Sequence, residues 1–418
     1  NNDFMHKTLI TLLSIVLNLV CYSQVENEIQ PPFNIKTVAF TQNSNNITPF
    51  VKLGESFALE FDDLYGNEAD YYYTITLYNY DWTESSLVKQ EYLTGLDNQR
   101  IMNYENSFNT LQQYSHYTQS FPNKFNRITK SGNYIIKIFN DEQEIVFSKK
   151  IIIYEDIVGA SLLVKRARDF ESLNEKQNLE LTINYGERIL QNPIKNVKVS
   201  FFQNGNWNTA IHNVKPQYTL GTELIYRYNQ ETQFWAGNEF YTLDNSNIRN
   251  KNNSVAMVSA GDIYNSHLYI NYARKNKQYT YFPDFNGNFY SVNVNSQLPQ
   301  TEADYAWVYF TLEAPYYLEK DIYINGMFNN YNLSEENKLI YNDEKGLFEK
   351  AILLKQGYIN YQYIVADSKK IIDFENAIDG NFYLTENSYV AIIYYRGNND
   401  RTDQVIGITK SNSETIRN

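Results

Sequence analysis

Short runs rich in Tyr, Ile, Val and Phe recur along the whole chain, separated by clusters of Asn, Asp, Gly and Ser. β-Branched and aromatic side chains fit the pleated surface of a sheet, whereas Asn, Asp and Gly favour the turns between strands. Helical periodicity is almost absent, and only one short helix is predicted, near residues 164–177. The pattern predicts an all-β chain with little helix, built as three consecutive β-sandwich domains of the immunoglobulin-like type.

The clearest predicted strands show a two-residue alternation. In the segment 134–139, residues 134, 136 and 138 share one face, and Lys137 marks the other face as wet. In the segment 359–365, the odd positions are apolar or aromatic and two even positions are amides. After a strand at 197–202, Asn204 and Gly205 supply the positive φ angles of a tight hairpin turn. These segments are expected to form half-buried strands.

The domain boundaries are predicted from length and from turn-rich stretches. The chain has 418 residues, of which 43% are hydrophobic and 20% charged, an ordinary globular balance. At about 150 residues per domain, this length favours two or three domains. We predict a signal peptide at 1–23, an N-terminal β-sandwich at 24–156, a middle β-sandwich at 157–300 and a C-terminal immunoglobulin-like domain at 301–418, which ends in a polar tail.

The N-terminus has the pattern of a secretory signal peptide that starts at Met5. Lys7 precedes the apolar run 8–20, which is too short to span a bilayer. No later stretch approaches about 18 consecutive apolar residues. The sequence therefore predicts an exported, periplasmic protein without a transmembrane segment.

Cys21 is the single cysteine of the chain. Cleavage after Ser23 would leave a mature chain without cysteine, so no disulfide is expected. Lipidation of Cys21 is the open alternative, although Asn18 and Val20 stand where a lipobox has Leu and a small residue.

Charge and aromatic content narrow the classes of partner. The formal net charge of −12 argues against nucleic acid, because phosphate binding needs basic patches. The 38 Tyr and 24 Phe residues could form a ligand-stacking surface, but they are dispersed and define no single patch. Packing on pleated strands is the preferred explanation for them.

The residue sets that common reactions require are missing from the sequence. His116, His212 and His267 lie in separate contexts without metal-ligand spacing. The sequence contains no Gly-x-Ser-x-Gly elbow, Walker loop or Gly-x-Gly-x-x-Gly motif. We therefore expect no enzymatic activity, no catalytic, metal-binding or cofactor-binding residues, and no cofactor.

One group of carboxylates could bind Ca²⁺ or act as a hydrolase pair. Its members are Asp62, Asp63, Glu68 and Asp70. They do not match an EF-hand loop, and a solvated turn with Gly66 and Asn67 at its tip explains them better. A hydrolase is kept as a distant third hypothesis.

Ordered motifs along almost the whole predicted mature chain resemble the plug family of the Bacteroidetes type IX secretion system. They include Phe61-Asp62-Asp63-Leu64, Asn79-Tyr80-Asp81-Trp82-Thr83, Ser107-Phe108-Asn109-Thr110-Leu111-Gln112, Gln203-Asn204-Gly205-Asn206-Trp207, Thr301-Glu302-Ala303-Asp304-Tyr305 and the segment 353–363. The resemblance implies a non-catalytic plug at the inner face of the outer membrane. Its partner would be the giant translocon barrel, which the plug seals when cargo is absent. The residues that contact the translocon are not identified by the sequence.

The predicted C-terminal domain also resembles immunoglobulin-like domains of the early-set, glycogen-recognition type. The residues that carry this resemblance are 321–331 and 346–349. Such domains stack sugars on Trp, and here Tyr331 and Phe348 stand at those places. The strand alternation favours a core position for Phe348. The alternative function is an exported carbohydrate-binding protein, with weak glycan binding through Phe328 and Tyr331 of the C-terminal domain.

Overall fold

The computed structural model describes residues 25–414 and residue 416. The predicted signal peptide, its cleavage at Ser23 and the lipidation of Cys21 lie outside the described residues. The prediction of an all-β chain with little helix is confirmed, because sheets dominate and the helices are single turns. Within the described residues, no helix is both long enough and apolar enough to cross a membrane.

Domain 1 is a sandwich of two five-stranded sheets. One sheet has the order β2-β1-β4-β9-β8 and the other β3-β12-β11-β5-β7, with β10-β6 as a small additional pair. The strands are β1 Ile35–Gln42, β2 Asn45–Asn46, β3 Phe50–Lys52, β4 Phe57–Asp63, β5 Tyr72–Tyr78, β6 Leu93–Gly95, β7 Gln99–Arg100, β8 Tyr104–Asn106, β9 Ser115–Phe121, β10 Asn126–Ile128, β11 Gly132–Phe139 and β12 Ile145–Tyr154. A 3₁₀ turn lies at Lys89–Glu91.

Domain 2 begins with β13 and is completed by the last two strands of the chain. Its first strands are β13 Gly159–Arg166, β14 Lys176–Asn184, β15 Val197–Gln203, β16 Ile211–Val214, β17 Tyr218–Leu220, β18 Glu223–Tyr226 and β19 Gln233–Trp235, with α1 at Pro193–Asn196 and a 3₁₀ turn at Trp207–Thr209. One sheet has the order β13-β14-β18-β17, with β19 also paired to β14.

Domain 3 is inserted between β19 and the strands that complete domain 2. It contains β20 Tyr241–Asp244, β21 Val255–Ala260, β22 Tyr264–Leu268, β23 Asn271–Tyr272, β24 Phe289–Ser291, β25 Tyr305–Glu313, β26 Asp321–Asn325, β27 Ile340–Asn342, β28 Leu347–Lys355 and β29 Gly357–Ala366. α2 spans Pro299–Glu302, and 3₁₀ turns lie at Pro315–Tyr317 and Met327–Asn329. One sheet is β20-β29-β24 with β26 on β29, and the other is β21-β22-β25-β28-β27 with β23 on β25.

The chain then returns to domain 2 through β30 Ser388–Tyr395 and β31 Gln404–Asn412. These strands complete a sheet of order β16-β15-β30-β31. The predicted boundary at 300/301 therefore does not separate domains, because residues 389–395 of β30 pair with the whole of β15. β22, β23 and β24, which lie within the predicted middle domain 157–300, instead pair with β25 and β29 of domain 3. A strand's sequence pattern fixes which of its faces is buried but not its partner, so an insertion leaves no local signal.

The predicted helix near 164–177 is wrong. Residues 159–166 form β13, which pairs residue by residue with β14, and turns connect the two strands. Leu162 faces the core, whereas Leu163 is exposed, so the two-residue period governs this run. Asn204 and Gly205 have the expected positive φ angles, 51° and 65°, but the tight hairpin predicted there is wrong, because residues 204–210 separate β15 from β16.

Candidate functional site

A buried ionic cluster joins domain 1 to domain 3, and its centre is Asp62 at the end of β4. Asp62 Oδ1 lies 2.7 Å from Nδ1 of His116. Its Oδ2 accepts hydrogen bonds from the Tyr305 hydroxyl at 2.6 Å and from the Lys355 ammonium at 2.7 Å. Thr37 Oγ1 lies 2.6 Å from the same Tyr305 hydroxyl, which therefore accepts from it. We call these five residues the Asp62 cluster.

The geometry of the Asp62 cluster explains its ionisation. Burial by itself would raise the pKa of Asp62, but the ammonium of Lys355 and the hydrogen bond to His116 outweigh burial and lower this pKa. Lys355 also donates to the Gln300 carbonyl at 2.6 Å and lies 4.2 Å from the centre of the Tyr114 ring. The donors nearest to the Asp62 carboxylate are thus all in contact with it, and the Asp62 cluster holds domain 1 against domain 3.

The other three predicted carboxylates have partners different from those of Asp62. Asp63 accepts from the Asn34 amide at 2.8 Å and from the Tyr71 hydroxyl at 2.9 Å. Glu68 accepts from Asn106 at 2.6 Å, and Asp70 is paired with an arginine at the edge of domain 1. The four side chains do not converge on one ligand, and no group of three or more possible metal ligands occurs in the part of the chain described.

The three histidines among the described residues occupy three different environments. His116 belongs to the Asp62 cluster. His212 Nδ1 lies 2.9 Å from Ser200 Oγ, and burial lowers the pKa of this imidazole. His267 stacks on Tyr309 with ring centroids 4.3 Å apart. Each ring is therefore held by a structural contact.

We call the contact surfaces between domains seams. The Asp62 cluster lies in the seam between domains 1 and 3, and a second seam, between domains 1 and 2, is mostly aromatic. Trp82 of domain 1 meets Trp207 of domain 2 edge to face at 5.4 Å, and Phe50 meets Phe202 at 5.1 Å. At its polar end, the Tyr394 hydroxyl donates to Asn133 Oδ1 at 2.9 Å. The sequence predicted that the face of β11 that carries Lys137 is solvent-exposed. This prediction applies to only part of the strand, because Ile135 on the same face is fully buried in this seam.

The loop of residues 325–331 lies where the three domains meet. The Tyr331 hydroxyl donates to the Asn204 carbonyl at 2.8 Å, and the Asn208 amide donates to the Tyr331 carbonyl at 2.8 Å. Asn330 donates to Glu28 of domain 1. Tyr331 is only 2% exposed, so its ring is not available to stack on a sugar. Phe348 lies in the core of domain 3, as the strand alternation predicted.

Two linkers, residues 236–240 and 367–387, connect domains 2 and 3. A segment of residues 279–286, which we call the strap, packs against both of them. The Tyr279 hydroxyl donates to Leu384 O at 3.1 Å and also contacts Glu239 of the other linker. Asp284 accepts from the backbone N–H of Phe240 at 2.6 Å. Burial raises the pKa of Asp284 to about 7, with a further contribution from the charge of Glu239, whose own pKa burial also raises.

The strap should become less stable as pH rises. Because the folded state holds the Asp284 proton up to about pH 7, whereas an unfolded Asp releases it near pH 4, Asp284 favours folding at low pH and loses that contribution between pH 4 and 7. We expect Asp284→Asn to flatten the pH dependence of the free energy of unfolding by about 2–3 kcal/mol between pH 5 and 8. Urea titrations at both pH values measure this, and parallel profiles of the two proteins would contradict it.

Sequence reasoning missed Tyr305 and Lys355 as partners of Asp62. The available signal was that β4 and β28 end in buried charged residues after apolar runs. Two such charges of opposite sign are paired more often than isolated, because an unpaired buried charge is costly.

Two comparisons with known proteins give matches. Residues 35–155 match the family model described as the first domain of the type 9 secretion system plug protein. The crystal structure of a hypothetical protein from Parabacteroides merdae is similar over 93% of this chain and 100% of that chain, with 31% sequence identity and a TM-score of 0.88. No curated protein matches the chain.

The matched family segment coincides with domain 1, which carries Asp62, His116 and one side of each seam. The structural match extends over all three domains at an identity that indicates common descent. The chain therefore belongs to the plug protein family of the type IX secretion system.

Proposed function

We propose that the chain is a non-catalytic periplasmic plug, which seals the outer-membrane translocon barrel of the type IX secretion system when cargo is absent. Membership of the plug family implies a secretion-related role, a partner in the secretion system and a periplasmic or envelope location. The sealing role and the barrel as direct partner are our inference. A pore wide enough for folded cargo would leak solutes when no cargo is passing. A protein that closes such a pore therefore has to be rigid.

The observation that carries the proposal is the way the three domains are fixed together. Domain 1 is joined to domain 3 by the Asp62 cluster and to domain 2 by the aromatic seam, while two linkers join domains 2 and 3. Interdomain motion is the usual expectation when a single linker connects domains across small polar contacts. Here each domain contacts both others, which favours one rigid body.

An affinity experiment tests the proposed partner. The tagged mature chain is expected to recover a very large outer-membrane barrel from envelope extracts, identified by mass spectrometry. A tagged immunoglobulin-like periplasmic protein of similar charge is the control. Retention of polysaccharide without any barrel would contradict the plug proposal and favour the carbohydrate-binding alternative.

A permeability experiment tests sealing itself. Deleting the gene should increase entry of a large hydrophilic antibiotic, and expression of the intact chain should restore the barrier. Unchanged entry in the deletion strain would contradict a sealing role even if the barrel co-purifies.

Tyr331 separates a structural from a sugar-binding role of the 325–331 loop. Tyr331→Phe keeps the ring but leaves the Asn204 carbonyl without its buried donor, so we expect a loss of about 1–2 kcal/mol in the free energy of unfolding. Tyr316→Phe is the control, because Tyr316 is 88% exposed and its change should stay within about 0.5 kcal/mol. Equal stability of both variants, together with glycan binding abolished by Tyr331→Ala, would contradict the structural role.

A further inference from the structure

A cavity between domains 2 and 3 has many side-chain amides in its lining. It is bordered by β26 and β29 of domain 3, by the ends of β15 and β19 of domain 2 and by the two linkers. Asn and Gln make up 8 of the 21 described residues that line it, and Asp379 is the only charged one among them. The Asp379 carboxylate accepts a hydrogen bond from the Arg274 guanidinium at 2.8 Å, which compensates its charge. We call this neutral, polar space the amide cavity.

Three of these amides have hydrogen-bonding groups without a partner. Asn325 is only 2% exposed, yet its side chain makes no hydrogen bond to any residue in the described part of the chain. The side chain of Gln362 likewise has no partner there. Asn206 accepts from the backbone N–H of Asn208 at 2.9 Å, but its own NH₂ group donates to none of the described residues. Leaving a buried amide unpaired is costly, so these groups indicate a polar occupant of the cavity.

Strand register places two of the unpaired amides side by side. Asn325 of β26 lies directly opposite Gln362 of β29, so the two side chains share one face of the sheet at a Cβ separation of about 5 Å. Tyr361 and Tyr363 point into the core of domain 3, so Gln362 points the opposite way, towards domain 2. The backbone groups of this pair are used in the ladder between the two strands. The cavity therefore offers side-chain amides to an occupant, and no strand edge for a peptide main chain.

The size and charge of the amide cavity define the class of its occupant. Its volume is about 70 Å³, and a water needs about 10–15 Å³ of such space, so the cavity has room for about five groups the size of a water. A phosphate or carboxylate ligand would need a cationic partner, and none of the described lining residues is cationic. Trp235 and Phe374, both half-buried, add apolar surface. The Lys176 ammonium covers one face of the Trp235 ring at 4.2 Å, which leaves only the other face for the C–H groups of a ligand.

We propose that the amide cavity binds a neutral saccharide through one hydroxyl-bearing edge of a terminal sugar ring, which Asn325, Gln362 and Asn206 hold by hydrogen bonds. A hydroxyl both donates and accepts, so two neighbouring hydroxyls satisfy the carbonyl and NH₂ groups of the Asn325–Gln362 pair at once. The site needs no stacking on Tyr331, whose ring is buried. This inference does not depend on the proposed plug function.

The binding test uses the mature chain and four defined probes. These are the methyl glycosides of glucose, galactose, mannose and N-acetylglucosamine, which are all neutral pyranoses. Saturation-transfer NMR should show that at least one of them binds with a Kd of about 10 mM or tighter. Asn325→Leu and Gln362→Met keep the approximate size of each side chain but remove its amide, so each should weaken that binding at least about tenfold.

Thermal unfolding distinguishes a ligand-binding amide from a structural one. Because the Asn325 amide has no partner among the described residues, Asn325→Leu should leave the unfolding midpoint unchanged or raise it. Asn337→Leu is the control, because Asn337 is 3% exposed and donates to the carbonyls of Ile324 and Asn332 at 2.6 and 2.7 Å. Losing these two bonds should lower the midpoint by several degrees.

Three results would overturn the proposal. If none of the glycosides bound at about 50 mM, the cavity would hold only water. If the folded Asn325→Leu and Gln362→Met variants bound as the wild type does, the sugar would bind elsewhere. If Asn325→Leu lowered the unfolding midpoint as much as Asn337→Leu, Asn325 would have a structural role and not a ligand-binding one.

Discussion

Replacing Lys355 by Met should lower the free energy of unfolding by about 3–5 kcal/mol, because the substitution leaves the carboxylate of Asp62 buried without its ammonium partner. Asp62 is fully buried, and the Lys355 side chain is 4% exposed. Met has a similar length and preserves most of the packing, so the loss reports mainly on the uncompensated charge. Urea denaturation followed by tryptophan fluorescence measures it, with Trp307 packed close to the Asp62 cluster.

Lys345→Met is the matched control for this substitution. Lys345 also pairs with a carboxylate, Glu349, at 2.8 Å, but its side chain is 58% exposed. An exposed pair of this kind contributes about 0.2–1 kcal/mol. The cycle of Asp62→Asn, Lys355→Met and the double variant should give a coupling energy of at least about 2 kcal/mol. Equal losses in the free energy of unfolding for Lys355→Met and Lys345→Met would show that the Asp62 cluster does not hold domains 1 and 3 together. Additive effects in the cycle would show the same.

Strand positions could be predicted from the sequence, but strand partners could not. The alternation in β11 and β29 identified the strands and their core faces. β30 is apolar on both faces, since Tyr389, Ala391 and Ile393 fill the core of domain 2 while Val390 and Ile392 fill the seam with domain 1. Because both faces are buried, the alternation disappears, and the run gives no indication that it returns to β15.

The sequence indicated where the carboxylates of the site lie along the chain, but not which side chains they contact. Asp62 was named only together with Asp63, Glu68 and Asp70, as part of a solvated turn. Glu68 is exposed, as that interpretation requires, but Asp63 at the end of β4 is only 1% exposed. The interpretation does not hold for Asp62 either, whose partners Tyr305 and Lys355 lie 243 and 293 residues away along the chain. Neither partner shares a local pattern with it, so only the docked domains reveal the cluster.

The seams connect the fold to the proposed function. Trp82 and Trp207 bring large, stiff side chains to the seam between domains 1 and 2, and aromatic pairs of this geometry add about 0.5–1.5 kcal/mol beyond area burial. The Asp62 cluster adds directional bonds at the other seam. Buried hydrophobic area opposes separation of the domains, and directional hydrogen bonds oppose sliding of one domain over another. The two kinds of contact together therefore suit a plug that has to stay rigid.

Gly357→Ala should be at least as destabilising as Lys355→Met, with a loss of about 4 kcal/mol or more. Gly357 begins β29 with a φ angle of +154°, and a Cβ built there would lie 1.9 Å from the carbonyl oxygen of Tyr290. The clash is with the backbone of β24, which pairs with Gly357 through Ser291, so no rotation of a side chain can relieve it. The two strands must therefore move apart.

Gly346→Ala distinguishes the close approach from the backbone angle. Gly346 also has a positive φ, +67°, but its nearest neighbour would be 3.9 Å from an added Cβ, so only the conformational penalty of about 1–2 kcal/mol remains. Thermal unfolding of the two variants should differ in midpoint by several degrees. If Gly357→Ala unfolded at the same temperature as Gly346→Ala, β24 would have to yield easily at Ser291. The pairing of β24 with β29 would then be easily deformed, which would contradict a rigid domain 3 in the proposed plug.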